Sequence, residues 1–197
     1  MDEAIQLDRE DVILLMLEAN ERILRKDALS GITRLEKLLF LLERETDFEG
    51  IATFFEFEAH NFGPFSKEVY EAVEFLLGCD LIEVCDKTYS SVYSNSDEAK
   101  LLSEISEGDE AENLDSSSLQ MTEKQFSLTD NGRKVAQLMR QALSRRRPSD
   151  IEALDGVVRK YGNRPLNHLI RYVYMQHPDM TSKSIHPIAE ELRRSKT

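Results

Sequence analysis

The sequence has little of what would assign a chemistry. It contains two cysteines and no tryptophan among 197 residues. A single disulfide could not hold together a chain of this size. We therefore expect Cys79 and Cys85 to be buried thiols rather than a disulfide or redox pair. The four histidines show no metal-ligand spacing with these cysteines, and no glycine-rich phosphate loop or Gly-x-Ser-x-Gly turn is present. The sequence therefore predicts a protein that is not an enzyme and binds no metal or cofactor.

Long hydrophobic stretches are also absent. The strongest apolar run near the N-terminus, residues 12–17, is far too short to cross a bilayer. The acidic first residues lack the charged and then apolar pattern of a signal peptide. We therefore expect a cytoplasmic protein with no membrane partner.

Positive charge is scarce in the first two thirds of the chain. Residues 1–130 contain 11 lysines and arginines against 31 aspartates and glutamates, whereas residues 131–197 contain 14 against 6. The net charge of −12 disfavours a nucleic-acid partner for the chain as a whole. The basic C-terminal third keeps that possibility open.

Apolar periodicity predicts an α+β, mostly helical domain over residues 1–144. Helical spacing of apolar residues predicts helices at 8–26, 33–45, 66–77 and 130–143. Aromatic or alternating segments predict strands at 51–58, 81–84 and 125–129. The third helix is predicted to begin with Ser66 as its N-cap, or with Pro64 as its first helical residue. This order of elements is typical of a winged-helix domain with a small antiparallel sheet.

Two further regions depart from a minimal winged helix. Residues 86–124 contain three lysines against ten acidic residues, and we expect them to form an acidic, partly mobile insertion in the wing, with residues 107–118 as its mobile loop. Residues 145–197 are predicted to be a basic linker and a helical C-terminal extension. Ser149 and Glu152 form a capping-box pattern at its first helix, and Pro165 starts its second. Their matched apolar faces predict a helical hairpin that packs on the body.

The helix at residues 66–77 carries the wrong charge for DNA recognition. Its charged residues are Lys67 against Glu68, Glu71 and Glu74. A helix that enters a DNA groove must approach phosphates, and lysine and arginine make most of those contacts. The surface therefore predicts a protein partner, unless the turn at 59–64 only shapes the backbone and the glutamates form a solvated face. The candidate contact residues are Asn61, Phe62, Pro64, Lys67, Glu71 and Glu74.

Several segments in this order resemble a known family. An amphipathic helix at 31–42 and an aromatic segment at 54–57 precede Asn-Phe-Gly-Pro-Phe-Ser at 61–66, and the segments 78–83 and 126–132 follow. This order resembles the SocA-like (Panacea) antitoxin domain and the YwgA-type uncharacterised proteins of bacteria and archaea, over roughly residues 8–144. The resemblance implies a non-enzymatic regulator in a toxin–antitoxin system, acting by binding a protein that is commonly a toxin.

The alternative function is that of a winged-helix DNA-binding transcriptional regulator. Such a protein would use the basic C-terminal third, with Arg145, Arg146 and Arg147 contacting phosphates, or would form a homodimer through residues 148–177. The same three arginines would also suit an acidic protein partner, a solvated linker or an internal contact with the acidic insertion. The sequence does not decide between these uses.

Overall fold

The part of the chain that the structure describes consists of α-helices packed around one central helix, together with two small antiparallel sheets. The computed structural model describes residues 6–48, 55–90 and 120–194. The helices are α1 (Arg9–Leu24), α2 (Ile32–Glu45), α3 (Lys67–Gly78), α4 (Asp130–Arg146), α5 (Pro148–Tyr161), α6 (Leu166–Gln176) and α7 (Pro187–Arg194), with a 3-10 helix at Pro178–Thr181. The strands are β1 (Ala28–Ser30), β2 (Glu58–His60), β3 (Gly63–Phe65), β4 (Ile82–Ser90) and β5 (Gln120–Leu128). The predicted α+β class with a small antiparallel sheet is confirmed.

Helix α1 is the central element of the core. Every residue from Val12 to Asn20 is buried, because α3, α4 and α5 all pack against it. At its start, the Asp11 carboxylate accepts a hydrogen bond from the backbone N–H of Asp8 at 3.0 Å. It ends at Arg25, which adopts the left-handed conformation with φ of 58°. A helix buried around most of its circumference fixes the positions of its neighbours.

The larger sheet has the strand order β1-β5-β4. Its two long strands pair from Ile82 opposite Leu128 to Ser90 opposite Gln120. The predicted strands at 81–84 and 125–129 were therefore too short, and both ends of the segment predicted as an insertion, 86–90 and 120–124, are strand. Residues 91–119, the rest of that segment, lie outside the described residues.

The polar ends of these strands explain that error. They contain Asp86 and Lys87 on β4 with Glu123 and Lys124 on β5, a composition that is typical of a loop. In the sheet, Asp86 lies opposite Lys124 and Lys87 lies opposite Glu123. Opposite charges directly across an antiparallel pair favour the strands, and this pairing is not visible in either segment alone.

The predicted aromatic strand at 51–58 is also corrected. Residues 51–54 lie outside the described residues, and residues 55–57 are not strand. Glu56 has a φ of 51°, which interrupts an extended segment. Phe55 is buried and Phe57 packs edge-on against Phe40, with ring centroids 5.4 Å apart. These aromatic residues therefore serve the core, and the strand begins only at Glu58.

Both cysteines are exposed, so the prediction of buried thiols was wrong. Cys79 is the C-cap of α3, where its backbone N–H donates to the Phe75 carbonyl at 3.0 Å. Cys85 alternates with Val84 along β4 and faces away from the buried Ile82. The position of each thiol follows from the backbone element, which outweighs the usual preference of cysteine for the interior.

The C-terminal helices share the core of the preceding elements. Helix α5 packs on α1, α2 and α4, and helix α6 packs on α2. The residues predicted as a basic linker are not one, because Arg145 and Arg146 form the last turn of α4 and Arg147 joins it to α5. The predicted capping box is also absent, since α5 begins at Pro148, a residue suited to the first helical position.

A buried charge network joins three of these helices. The Arg140 Nε on α4 lies 2.6 Å from the Glu18 carboxylate on α1, and its Nη2 lies 2.6 Å from Asp155 on α5. Arg22 contacts the same two carboxylates, at 3.0 Å to Glu18 and 2.6 Å to Asp155. Glu18 and Asp155 are each 5% exposed. Two buried carboxylates thus share two guanidinium groups, of which Arg140 is largely buried and Arg22 is 39% exposed.

Replacing Arg140 by alanine is expected to lower the free energy of unfolding by about 3 kcal/mol, because two buried carboxylates would lose the more buried of their two shared cations and keep only Arg22 between them. The matched control is Arg171→Ala, which removes a bidentate pair with Glu191 that is open to solvent. Chemical denaturation of both variants would measure the difference. Equal stabilities for the two variants would mean that the network contributes no more than a surface ion pair.

His186 caps the last helix from a fully buried position. Its Nδ1 accepts a hydrogen bond from the backbone N–H of Ile188 at 3.1 Å, as an N-cap side chain does. It is 0% exposed. Burial, together with the nearby positive charge of Lys37, lowers the pKa of His186 from 6.5 to about 4. The folded chain therefore keeps this imidazole neutral where the unfolded chain protonates it.

Acidification is accordingly expected to destabilise the fold through His186. The stabilisation is fully present above pH 6.5 and is lost as the pH falls towards 4, amounting to at most about 3 kcal/mol. His186→Asn keeps an acceptor for the Ile188 N–H but does not titrate. Denaturation at a series of pH values should therefore give a shallower decline for this variant. Identical slopes for the two proteins would contradict the assignment.

Candidate functional site

Two charged residues of α2 hold the turn that precedes α3. Lys37 is 1% exposed, and its Nζ donates to the Pro64 carbonyl at 2.7 Å. The Glu36 carboxylate accepts from the backbone N–H of Ser66 at 3.2 Å. Ser66 is the N-cap as predicted, since its hydroxyl accepts from the Val69 N–H at 3.2 Å. The first turn of α3 is therefore fixed to the core by side chains that lie inside it.

The predicted contact residues divide into buried and exposed groups. Pro64 is buried and Phe62 is half-buried, so Pro64 shapes the β2–β3 turn and is withdrawn from the contact surface. Gly63 is required there, because its φ is 87° and a Cβ would lie 2.6 Å from the Tyr174 ring. Asn61 is exposed, while its carbonyl accepts from the backbone N–H of Ile185 at 3.1 Å. The remaining three candidates, Lys67, Glu71 and Glu74, are exposed on α3.

The outer side of α3 combines carboxylates with large apolar side chains. At about 3.6 residues per turn, Glu71 and Glu74 lie along its centre. Phe75 lies on one edge and is 58% exposed. Tyr70 and Leu77 lie on the opposite edge, at 42% and 39% exposed. We call the five residues Tyr70, Glu71, Glu74, Phe75 and Leu77 the α3 face.

Sequence periodicity did not identify this apolar part of the α3 face. Val69, Val73 and Leu76 mark the buried side of the helix, as predicted. Leu77 was assigned to that side and is instead 39% exposed. Phe75 falls outside the buried side of the helix. This position in the sequence was the one indication that an apolar side chain would be exposed there. A phenylalanine opposite the apolar side of an amphipathic helix is not explained by the core.

The arginine run at 145–147 is divided in two by the fold. Arg145 and Arg146 are exposed at the end of α4. Arg147 is half-buried, and its Nε lies 2.7 Å from the carboxylate of Asp150, which is itself 2% exposed. The backbone N–H of Arg147 also donates to the Leu143 carbonyl at 2.6 Å. Only the first two arginines are therefore available to a partner in the way that the sequence suggested.

The fold also assembles a polar cluster that has no sequence motif. Glu45 Oε2 accepts hydrogen bonds from the Tyr161 hydroxyl at 2.5 Å and the Tyr172 hydroxyl at 3.0 Å. Glu45 Oε1 lies 3.2 Å from His177 Nε2. Lys160 Nζ lies 3.9 Å from Glu45 Oε2. We call these five residues the Glu45 cluster; it joins α2, α5 and α6.

Hydrogen bonding keeps Glu45 ionised at the end of α2. Burial raises the pKa of Glu45, but the hydrogen bonds from Tyr161, His177 and Tyr172 outweigh it, so the pKa lies below its ordinary value of 4.5. Burial and the Glu45 carboxylate raise the pKa of Tyr161 well above its ordinary range. Glu45 is therefore an anion that accepts hydrogen bonds from the Tyr161 and Tyr172 hydroxyl groups.

Two cations cover the aromatic part of this cluster. Lys160 Nζ lies 4.7 Å from the centroid of the Tyr161 ring, and Arg164 Cζ lies 5.0 Å from it. The Tyr161 side chain belongs to the hydrophobic core and is 1% exposed, so these cations lie over a ring that the core holds in place. The positive charge of Lys160 is thus already engaged by the cluster.

Comparison with known proteins adds no assignment. No protein-family model matches this chain, and no curated protein is significantly similar to it. Within the described ranges, no group of three or more histidine, cysteine or acidic side chains is arranged to hold a metal ion. Among the helices described, none is both long and apolar enough to cross a bilayer. Function must therefore be inferred from the surfaces themselves.

The three arginines at 145–147 are predicted to differ in their effect on stability, although the sequence suggests that they are equivalent. Arg147→Ala is expected to lower the free energy of unfolding by about 2 kcal/mol, because it leaves the buried Asp150 carboxylate without its cation. The double variant Arg145→Ala/Arg146→Ala removes more charge from exposed positions and should change stability little. Thermal denaturation would compare them. If the double variant were the less stable protein, the proposed roles of these arginines would be reversed.

Proposed function

We propose that this protein is a non-catalytic regulator that acts by binding a basic protein through the α3 face. The observation that carries the proposal is Phe75, which is 58% exposed on a helix whose neighbouring surface residues Glu71 and Glu74 are acidic. Exposed aromatic side chains on a well-packed scaffold are typical of the centre of protein interfaces.

The rigidity of the underlying structure supports this proposal. The start of α3 is held by Lys37 and Glu36 from α2 and by the Ser66 cap. On the buried side, Val69 is 0% and Leu76 is 1% exposed, so the helix cannot turn its aromatic residues inwards without emptying the core. A preordered surface of this kind loses little conformational entropy when it binds.

The charge of the α3 face supports a basic protein as the partner. Glu71 and Glu74 lie between the aromatic edges, where a partner would contact them. Lys67, the cation of this helix surface, lies 2.5 Å from Glu71. Carboxylates in this position would repel nucleic-acid phosphates and attract lysine and arginine side chains.

The fold interpretation that goes with this function is a winged helix in which the usual recognition helix has become a protein-binding helix. The element order α1-β1-α2-β2-β3-α3-β4-β5, with the β2–β3 pair inserted between α2 and α3, and the strand order β1-β5-β4 support it. The resemblance of residues 8–144 to SocA-like antitoxin domains agrees with the same role and suggests a toxin as the class of partner.

The test is to recover a binding partner and to measure how its affinity depends on the α3 face. The chain would be used as bait in lysate treated with nuclease, and the recovered protein would be purified and titrated by calorimetry. Phe75→Ala should weaken the complex by roughly thirtyfold, or about 2 kcal/mol. Glu71→Lys/Glu74→Lys should weaken it by roughly tenfold or more, because the reversed charges would repel a basic partner.

The matched control is Leu138→Ala, which removes a side chain that is 66% exposed on α4, away from the α3 face. It should leave the affinity unchanged. A partner that binds Phe75→Ala and the charge-reversed variant as tightly as the original chain would refute the proposal. Recovery of DNA fragments that bind the chain with a steep salt dependence, reduced in Arg145→Ala/Arg146→Ala, would favour the transcriptional regulator instead.

A further inference from the structure

An open cleft of about 500 Å³ lies between the end of α2 and one side of α5. Its volume is within the range of small-molecule sites, about 300 to 1,000 Å³. The Glu45 cluster forms one end of it, through Glu45, Lys160 and Tyr161. The cleft therefore adjoins buried polar groups and differs in this respect from a shallow surface depression.

The apolar wall of the cleft is made by small side chains of α5. Ala153, Gly156 and Val157 are spaced so that they share one side of the helix. Gly156 is informative, because a Cβ added there would meet no atom within 4 Å. Glycine is unfavourable in a helix interior, and packing does not require it here. Because Gly156 has no side chain, this part of the cleft stays open.

Two exposed carboxylates line the remaining wall, Asp47 on the segment after α2 and Glu152 on α5. Glu45 and Lys160 are opposite charges 3.9 Å apart, so Asp47 and Glu152 supply the net negative charge of the cleft. Thr46, the C-cap of α2, also lines the cleft, so the negative end of the α2 dipole is directed to this region. The one lysine in the wall, Lys160, is engaged with Glu45 and the Tyr161 ring.

We propose that this cleft binds an alkylammonium or alkylguanidinium group, with its alkyl chain against Ala153, Gly156 and Val157 and its cation between Asp47 and Glu152. The wall is apolar where a methylene chain would lie and acidic where the cation would lie. The Glu45 cluster would stay intact, since its hydrogen bonds are already made within the protein. The same chemistry is supplied by free polyamine-like molecules and by lysine or arginine side chains of a peptide.

Calorimetric titration of the full chain would test this inference. The probes are agmatine and 1,5-diaminopentane as free cations, 1,5-pentanediol as an uncharged analogue, and acetylated, amidated tripeptides with a central lysine or arginine. We expect a dissociation constant below about 1 mM for at least one cationic probe and none measurable for the diol. Free cations that bind would identify a small molecule as the source of the group, whereas binding of the peptides alone would identify a protein side chain.

Matched variants would assign the binding to the cleft. Asp47→Asn/Glu152→Gln should weaken the cationic probe at least tenfold. Glu71→Gln/Glu74→Gln removes the same charge from the α3 face and should leave its affinity within about twofold. This control also separates the cleft from the proposed function, because it alters the surface proposed for the protein partner and not the cleft.

Filling the cleft gives a second, independent test. Gly156→Leu should abolish binding, whereas Gly156→Ala adds one methyl group and should retain most of the affinity. Circular dichroism would establish that both variants are folded. The proposal is overturned if no cationic probe binds, if the diol binds equally well, or if the Asp47→Asn/Glu152→Gln variant binds as tightly as the original chain.

Discussion

The arrangement of this protein depends on how Arg140 shares two buried carboxylates. Glu18 lies on the central helix α1 and Asp155 on α5, and the guanidinium group from α4 contacts both at 2.6 Å. Removal of two carboxylates from water is costly unless every charge is paired, so the network favours the arrangement in which Arg140 and Arg22 both reach Glu18 and Asp155. Helix α5 also carries Tyr161 and one wall of the cleft, so the network acts on the element that positions both.

Local patterns in the sequence were sufficient to predict a helix or strand where that element alone carries the signal. Helices α1, α2 and α3 show clear apolar periodicity, and Ser66 precedes α3 as an N-cap should. They were insufficient where the signal is divided between two segments. The outer half of the β4–β5 pair depends on charges such as Asp86 and Lys124 lying opposite each other, which neither strand shows by itself. The turn of α4 at Arg145 was mistaken for a linker because charge was weighed more heavily than helix continuity.

The candidate surfaces also combine features that one segment of sequence predicts with features that depend on packing. The acidic residues Glu71 and Glu74 were predicted from the sequence, because their spacing along one helix is local information. Phe75 completes that surface but would have been noticed only by asking which apolar residue the core leaves out. The Glu45 cluster could not have been predicted, since Glu45 and Tyr161 are 116 positions apart and meet only after α2 and α5 have packed. Composition describes which residue types are available, and packing decides which of them meet.

The α3 face and the cleft are both supported by α2. This helix is therefore the element through which binding at one site could affect the other. Lys37 of α2 holds the turn before α3, and Glu45 at the end of α2 anchors the cluster beside the cleft, roughly 12 Å further along the axis. Communication between sites requires an element with two alternative positions. Every residue of α2 from Arg34 to Leu42 is buried, so a shift of this helix would disturb its packing along most of its length. We therefore expect the α3 face and the cleft to act independently, as two sites supported by one packed helix.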